Sequence, residues 1–190
     1  MHQIYMIGGP NGAGKTTSVM TLLPHLLSCD EYVNADAIAA GLSPFNPGPA
    51  AIQAGRLMLG RIQQLFRQRK DFAFETTMAS RTFAPFLLKC KRNGYSVNLL
   101  YMWLKSADLA VKRVASRVLD GGHDVPESLV RRRYLSGLEN FFRLYQPLAD
   151  TWALYDNSSE KPSLVARWRG IGPAMVIDPS VWAVIQEMLS

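Results

Sequence analysis

The sequence predicts an α/β protein, a three-layer α/β/α sandwich with a central, mostly parallel sheet. Three observations predict it. Short β-rich runs alternate with longer stretches of 3.6-residue periodicity, the order that successive β–α–β units produce. The run from Val97 to Leu104 is apolar on both faces, as a strand at the centre of a helix-covered parallel sheet must be. The chain has 190 residues, 48% of them hydrophobic and 10% aromatic, enough to bury a real core within one domain spanning residues 1–190.

The elements come in order along the chain. Ile4 to Ile7 is the first apolar run, and Lys15 to Leu27 has helical periodicity before the short strand Tyr32-Val33. Ser43-Pro44-Phe45-Asn46-Pro47-Gly48-Pro49 reads as a rigid loop. A long helix is expected from Ala50 to Lys70, with Ala54, Leu57, Met58, Ile62, Leu65 and Phe66 on one stripe, then a strand at Phe72-Ala73-Phe74. A helix from Phe83 to Arg92 stops at Asn93-Gly94, and the central strand comes next. Ala107 to Leu119 and Glu127 to Tyr145 are helices joined by Asp-Gly-Gly-His-Asp-Val-Pro. Trp152 to Tyr155 is a strand, Leu164 to Trp168 a late edge strand, and a last helix opens at Pro179 with Asp178 as its N-cap.

Composition excludes several classes. The apolar content rules out a disordered tail. No run approaches the roughly 18 apolar residues of a membrane span, and the N-terminus lacks the basic region of a signal peptide, so a cytoplasmic protein without a membrane partner is expected. Cys29 and Cys90 are too few and too far apart for a disulfide framework or a metal site, and both are expected to be packed thiols. The net charge of +6 suits anionic partners without choosing among them.

Gly9-Pro10-Asn11-Gly12-Ala13-Gly14-Lys15-Thr16 fits GxxxxGK[ST], between a predicted strand and a predicted helix. In such a phosphate-binding loop, successive N–H groups turn inward around an anion and glycines permit its close approach. Lys15 adds a mobile charge for the β- and γ-phosphates, and the helix beginning at Gly14 aims its positive end at the same place. The Thr16 hydroxyl can ligate Mg²⁺, and Thr17 reaches the α-phosphate side. ATP or GTP with Mg²⁺ is implied.

The loop wording also resembles that of ABC-transporter ATPases, but that reading fails on its other parts. Leu135-Ser136-Gly137 continues as Leu-Glu rather than Gly-Gln, and no apolar strand ends in Asp-Glu. Instead, Asn34-Ala35-Asp36 comes after the second strand and Glu75-Thr76-Thr77 after the third. In a parallel sheet these strand ends share the edge of the phosphate loop. Phosphoryl transfer needs a phosphate clamp and a carboxylate to take the acceptor's proton. Asp36 is the better candidate for that base; its plainer alternative is to N-cap a helix over residues 37–40. Glu75 could bind the acceptor or hold a metal-bound water.

Arg113 and Arg117 share a helix face, and Arg131-Arg132-Arg133 opens the next helix. Residues 105–143 hold eight basic and five acidic residues, net +3, half of the chain's excess. A helical, arginine-rich lid over about residues 113–134 is expected to close on the transferring phosphoryl group. His123 could touch either ligand or serve only the loop.

These residues, in this order, resemble the zeta toxin family: the phosphate loop, Asn34-Ala35-Asp36, Phe74-Glu75-Thr76-Thr77 with Ser80-Arg81, the Gly-Gly-His-Asp-Val-Pro segment leading into Arg-Arg-Arg-Tyr, and Tyr155-Asp156-Asn157-Ser158. The match runs from about residue 4 to about 182. The resemblance implies a P-loop kinase fold and ATP-dependent phosphorylation of a hydroxyl on a UDP-activated amino sugar such as UDP-N-acetylglucosamine, with an antitoxin as protein partner. Mapped by motif, Asp36 matches the catalytic base, and Glu75, Thr77 and Arg81 match the acceptor-binding strand end. Lys15 and Thr16 match the phosphate and Mg²⁺ ligands, and lid arginines fall near Arg113, Arg117 and Arg132, with the register among Arg131, Arg132 and Arg133 open. Asn157 belongs to the turn beside the adenine. A nucleic-acid 5′-hydroxyl as acceptor, suggested by Trp103, Tyr134, Phe141 and Phe142, is disfavoured because those aromatics sit at core spacing; a non-catalytic nucleotide switch is the third reading.

Overall fold

The computed structural model describes residues 1–19, 29–44, 47–119, 122 and 124–190. Its strands are β1 (His2–Gly8), β2 (Tyr32–Val33), β3 (Phe72–Glu75), β4 (Tyr95–Trp103), β5 (Thr151–Asp156), β6 (Ser163–Trp168) and β7 (Met175–Val176). Its helices are α1, seen over residues 15–19, α2 (Ala35–Leu42), α3 (Pro47–Arg67), α4 (Phe83–Arg92), α5 (Ala107–Leu119), α6 (Glu127–Asn140) and α7 (Pro179–Glu187). The strands form one sheet in the order β2-β3-β1-β4-β5-β6-β7, parallel through β5 and antiparallel for β6 and β7. The expected α/β class is what the structure shows.

Alternation along the strands builds the layers. Ile4 and Met6 of β1, Phe72 and Phe74 of β3, and Val97, Leu99 and Tyr101 of β4 enter one core with Met58, Ile62 and Leu65 of α3 and Leu87 and Cys90 of α4. Ile7, Ala73 and Leu100 face the other way, onto Val19 of α1 and Cys29. Register sets the site: Ile7 pairs with Glu75, and Gly8 with Tyr101. After β1 the chain crosses to β2 at one edge and later returns to β4 on β1's other side, so strand order reverses at β1, where a ligand crevice opens.

The structure changes several expectations. The segment read as a rigid loop contributes to α3, which already starts at Pro47; a proline in a helix's first turn sacrifices no hydrogen bond, because those N–H groups have no intrahelical partner. Residues 45–46, residues 20–27 of the helix expected over Lys15 to Leu27, and His123 lie outside the described residues. Leu57, expected on the buried stripe of α3, is 47% exposed, whereas Ala54, Met58, Ile62 and Leu65 are buried. The helix expected to Tyr145 stays α-helical to Asn140 and widens to a π turn over Phe141–Tyr145, then a 3₁₀ turn over Gln146–Leu148. β6 is not the edge, because β7 pairs outside it. Asp178 caps α7 as expected, accepting from Ser180 N and Val181 N.

Candidate active site

The phosphate loop leaves β1 at Gly8 and turns under the end of β4. Gly9 has φ +139°, and a Cβ there would stand 2.3 Å from the Met102 carbonyl oxygen, so only glycine lets the loop pass. Gly14, at φ +70°, sits where a Cβ would meet Asn157 Nδ2 at 2.6 Å. Pro10 O accepts from Ala13 N and from Lys15 Nζ, the latter at 2.8 Å. Ala13 and Lys15 are buried. Burial lowers the Lys15 pKa; Glu75 and Asp36 act against that shift and Arg117 adds to it.

Glu75 ends β3 beside the loop and is the hub of the site. Its Oε2 accepts hydrogen bonds from Thr16 Oγ1 at 2.8 Å, Tyr32 OH at 2.5 Å and Asn34 Nδ2 at 2.9 Å, and its Oε1 lies 3.7 Å from Lys15 Nζ. Burial, with Glu75 beside it, raises the Tyr32 pKa, so its hydroxyl stays a donor. Asn34 has two jobs. Its amide donates to Glu75 while its Oδ1 accepts from Asp36 N and Ala37 N, capping α2. The cap is therefore Asn34 and not Asp36, whose carboxylate is left for other work.

Asp36 occupies the second position of α2, half exposed, with Oδ2 3.7 Å from Arg117 Nη1. Of the three arginines whose register the sequence leaves open, Arg133 turns to the site and donates to Asn11 Oδ1 at 3.2 Å. Burial lowers its pKa, an effect that Asp36 opposes. Arg131 is held by Asp108 and Glu127, and Arg132, the residue selected from the family pattern, is exposed. The buried residues of α6 are Val130, Tyr134, Gly137 and Leu138. Arg133 lies three and four residues from Val130 and Gly137 and flanks that face, a helical-period signal that could have chosen it.

Three cavities run side by side across this edge. The first, about 180 Å³, is lined by Asn34, Asp36, Met58, Glu75, Thr77, Phe83 and Arg133, among others. The second, about 190 Å³, is lined by the phosphate loop with Thr16, Thr17, Asp36, Glu75, Arg113 and Arg117. The third, about 500 Å³, is lined by Gly14, Thr17 and Arg113 together with Asn157 and Ser159 to Pro162. Neighbours share walls: Asp36, Glu75, Lys15 and Asn11 line the first two, and Gly14, Thr17 and Arg113 the last two. Arg81 is exposed in the turn before α4 and lines none of these three. Tyr32, Met58 and Phe83 were not anticipated as site residues from sequence, and Arg133 was one of three arginines left open there.

Comparison with known proteins agrees with the fold. The chain is 30% identical over 131 residues to an uncharacterized protein of Haemophilus influenzae, covering 66% of this chain and 88% of that one. Solved structures share the fold: the ATP-containing AvrRxo1-ORF1:-ORF2 structure (TM-score 0.79, 15% identity, 100% of this chain) and the PezAT toxin–antitoxin structure of Streptococcus pneumoniae (TM-score 0.64, 13% identity, 99% of this chain and 78% of that one). A putative kinase of Chloroflexus aurantiacus superposes over 70% of this chain and 80% of its own with TM-score 0.56 and 16% identity. This chain spans 64% of the matched chain in the AvrRxo1-ORF1:-ORF2 structure. The zeta toxin family matches residues 48–161, more than half of the sequence and beyond the phosphate loop, and the chain belongs to that family, which supports a P-loop, ATP-dependent kinase-like function.

Proposed function

We propose that this protein is an ATP- and Mg²⁺-dependent kinase that phosphorylates a hydroxyl group of a small molecule, with a UDP-activated amino sugar such as UDP-N-acetylglucosamine as the acceptor. The observation that carries the reading is that Asp36 and Glu75 line both the phosphate-side cavity and the cavity beside it, so an acceptor and a γ-phosphate can meet across them. In the transfer, the acceptor oxygen forms a bond to the γ-phosphorus as the bond to the leaving ADP oxygen breaks. Asp36 takes the acceptor's proton. Lys15, Arg117 and Arg133 face the negative charge that spreads over the phosphoryl oxygens.

The residues suit a Mg²⁺ ion held chiefly by the nucleotide. Among the described residues no cluster of three or more His, Cys, Asp or Glu could cage a metal. Thr16 donates its proton to Glu75 and accepts from Asn34 Nδ2 at 3.2 Å, which leaves one lone pair of its oxygen for a cation, the arrangement expected where phosphates supply most of the oxygen ligands. When bound, the ion neutralises charge on the β- and γ-phosphates. Thr77 and Arg81 are proposed to contact the acceptor, and Asn157 the adenine. An antitoxin is proposed as protein partner and the cytoplasm as location; among the described residues no helix is long and apolar enough to cross a membrane.

The test is ADP release with ATP, Mg²⁺ and a panel of nucleotide sugars. An acceptor-dependent burst that Asp36→Asn reduces by roughly 10²-fold or more, with nucleotide affinity unchanged, is the expected result. ADP release indifferent to every acceptor, or full turnover in Asp36→Asn, would overturn the reading.

A further inference from the structure

Arg113 reads from sequence as one of several lid arginines aimed at phosphate. Its contacts say otherwise. Nη1 donates to the Asn157 carbonyl at 2.7 Å, and Nη2 donates to the carbonyls of Ser158 at 3.1 Å and Ser159 at 3.4 Å. A guanidinium has five N–H donors in one plane, and here three bonds within that fork go to consecutive backbone oxygens. What remains is two N–H groups and the flat surface.

The segment that Arg113 holds is also fixed from other sides. Asn157 is buried; its backbone N–H donates to the Trp103 carbonyl at 2.9 Å and its side chain to the Ala13 carbonyl at 2.7 Å. Ser158 Oγ accepts from Lys105 N at 2.8 Å. Residues 157–159 are thus tied to the phosphate loop, to the end of β4 and, through Arg113, to α5. Asn157 and Ser159 line one wall of the 500 Å³ cavity, a volume within the range of roughly 300–1,000 Å³ usual for small-molecule sites. Among the described residues no aromatic side chain lines that cavity. The large planar group in its lining is the Arg113 guanidinium, and an arginine plane is a surface on which a flat heteroaromatic ring stacks.

We propose that Arg113 is a positioning residue for the nucleobase rather than a phosphate ligand: it holds the 157–159 wall in place and offers its guanidinium face to the base. The inference rests on the nucleotide-binding reading above and refines it, because it assigns the base and not the triphosphate to this arginine.

The two roles separate when the base is removed from the ligand. Binding of ATP and of inorganic tripolyphosphate, each with Mg²⁺, is measured by calorimetry for the wild type, Arg113→Met and Arg113→Lys. Wild type is expected to bind ATP at least 10-fold more tightly than tripolyphosphate. Both variants should lose that increment, while their tripolyphosphate affinity stays within about 2-fold of wild type. Lysine keeps the charge but cannot span three carbonyls, so Arg113→Lys decides the matter even where Arg113→Met fails to fold. Equal losses for ATP and tripolyphosphate in Arg113→Met, or an unchanged preference for ATP in Arg113→Lys, overturn the proposal and leave the kinase reading standing. A wild-type protein that binds neither ligand overturns both.

Discussion

Replacing Lys15 with methionine separates what the site costs the empty protein from what it gains with ligand. The Lys15 ammonium is buried, with one hydrogen bond to Pro10 O at 2.8 Å and Glu75 at 3.7 Å. Methionine fills similar volume without the charge. Glu75 would not be stranded, since Thr16, Tyr32 and Asn34 still donate to it. The usual loss of about 3–5 kcal/mol for breaking a buried pair should therefore shrink to within about 1 kcal/mol of zero. With ligand the outcome diverges. A nucleotide at a hundred times its Kd stabilises wild type by about 2.7 kcal/mol, which at roughly 2–4 °C per kcal/mol for a chain of this size raises Tm by about 5–11 °C; Lys15→Met should show almost none of that shift. Thermal melts with and without Mg·ATP read both quantities. A full ligand shift in the variant would refute the phosphate role, and a fall of more than about 10 °C without ligand would mean that the lysine is structural. The pH dependence has a definite sign. Because the folded-state pKa of Lys15 is lowered, the unfolded chain binds more protons between that value and about 10.4. Wild type should accordingly gain stability relative to Lys15→Met as pH rises through that window, with a constant difference below it.

Further outcomes rest on individual contacts. Asn34→Ala removes the α2 cap and one donor to Glu75, and should cost about 1–2 kcal/mol in urea unfolding together with a weakened Mg²⁺ dependence of ADP release; equal stability would contradict the assigned cap. Gly137→Ala places a Cβ 2.4 Å from the Thr77 carbonyl oxygen, so despite alanine's better helix propensity it should lose about 1–3 kcal/mol and raise the KM for the acceptor. Burial pushes the Cys90 thiol up to about 12 and also raises that of Cys29, so neither should react with a thiol reagent at pH 8 until denaturant is added.

How much of the fold is legible in the sequence depends on how local each signal is. α4 is expected at Phe83 to Arg92 and is found there, because its period and its Asn93-Gly94 stop lie within the segment. β4 is legible for the same reason, its double-sided burial being written into the run itself. The π turn at Phe141–Tyr145 is invisible in the sequence, since its aromatic packing against Tyr101, Trp152 and Trp182 comes from other parts of the chain. β7 escapes because Met175–Val176 is two residues long and exposed, with little burial pattern to read. In the site, the phosphate loop and the two carboxylates are legible as motifs, whereas Tyr32 becomes visible only when the register of β2 against β3 brings it to Glu75.

The charge balance shows why motif and contact outrank composition here. Residues 105–143 hold half of the +6, yet residues 56–92 carry nine basic and two acidic residues, net +7. Arg67, Arg69, Lys70, Lys89, Lys91 and Arg92 of that segment lie where β1, β3 and β4 begin, the edge away from the phosphate loop. Several have local work: Lys91 pairs with Asp150, Arg69 donates to the Asn93 carbonyl, Lys89 sits over Phe66, and cations in the last turns of α3 and α4 offset the helix dipoles. The quantity relevant to the ligand is the local one. With Arg113 committed to the carbonyls of residues 157–159, the cations left to the two inner cavities are Lys15, Arg117 and Arg133, against two carboxylates, Asp36 and Glu75. That local excess of one positive charge offsets half of the charge of about −2 left on a triphosphate carrying one divalent cation. A bare triphosphate would bring about three more negative charges than the walls can balance, so occupancy by nucleotide and by Mg²⁺ should be thermodynamically coupled, each tightening the other.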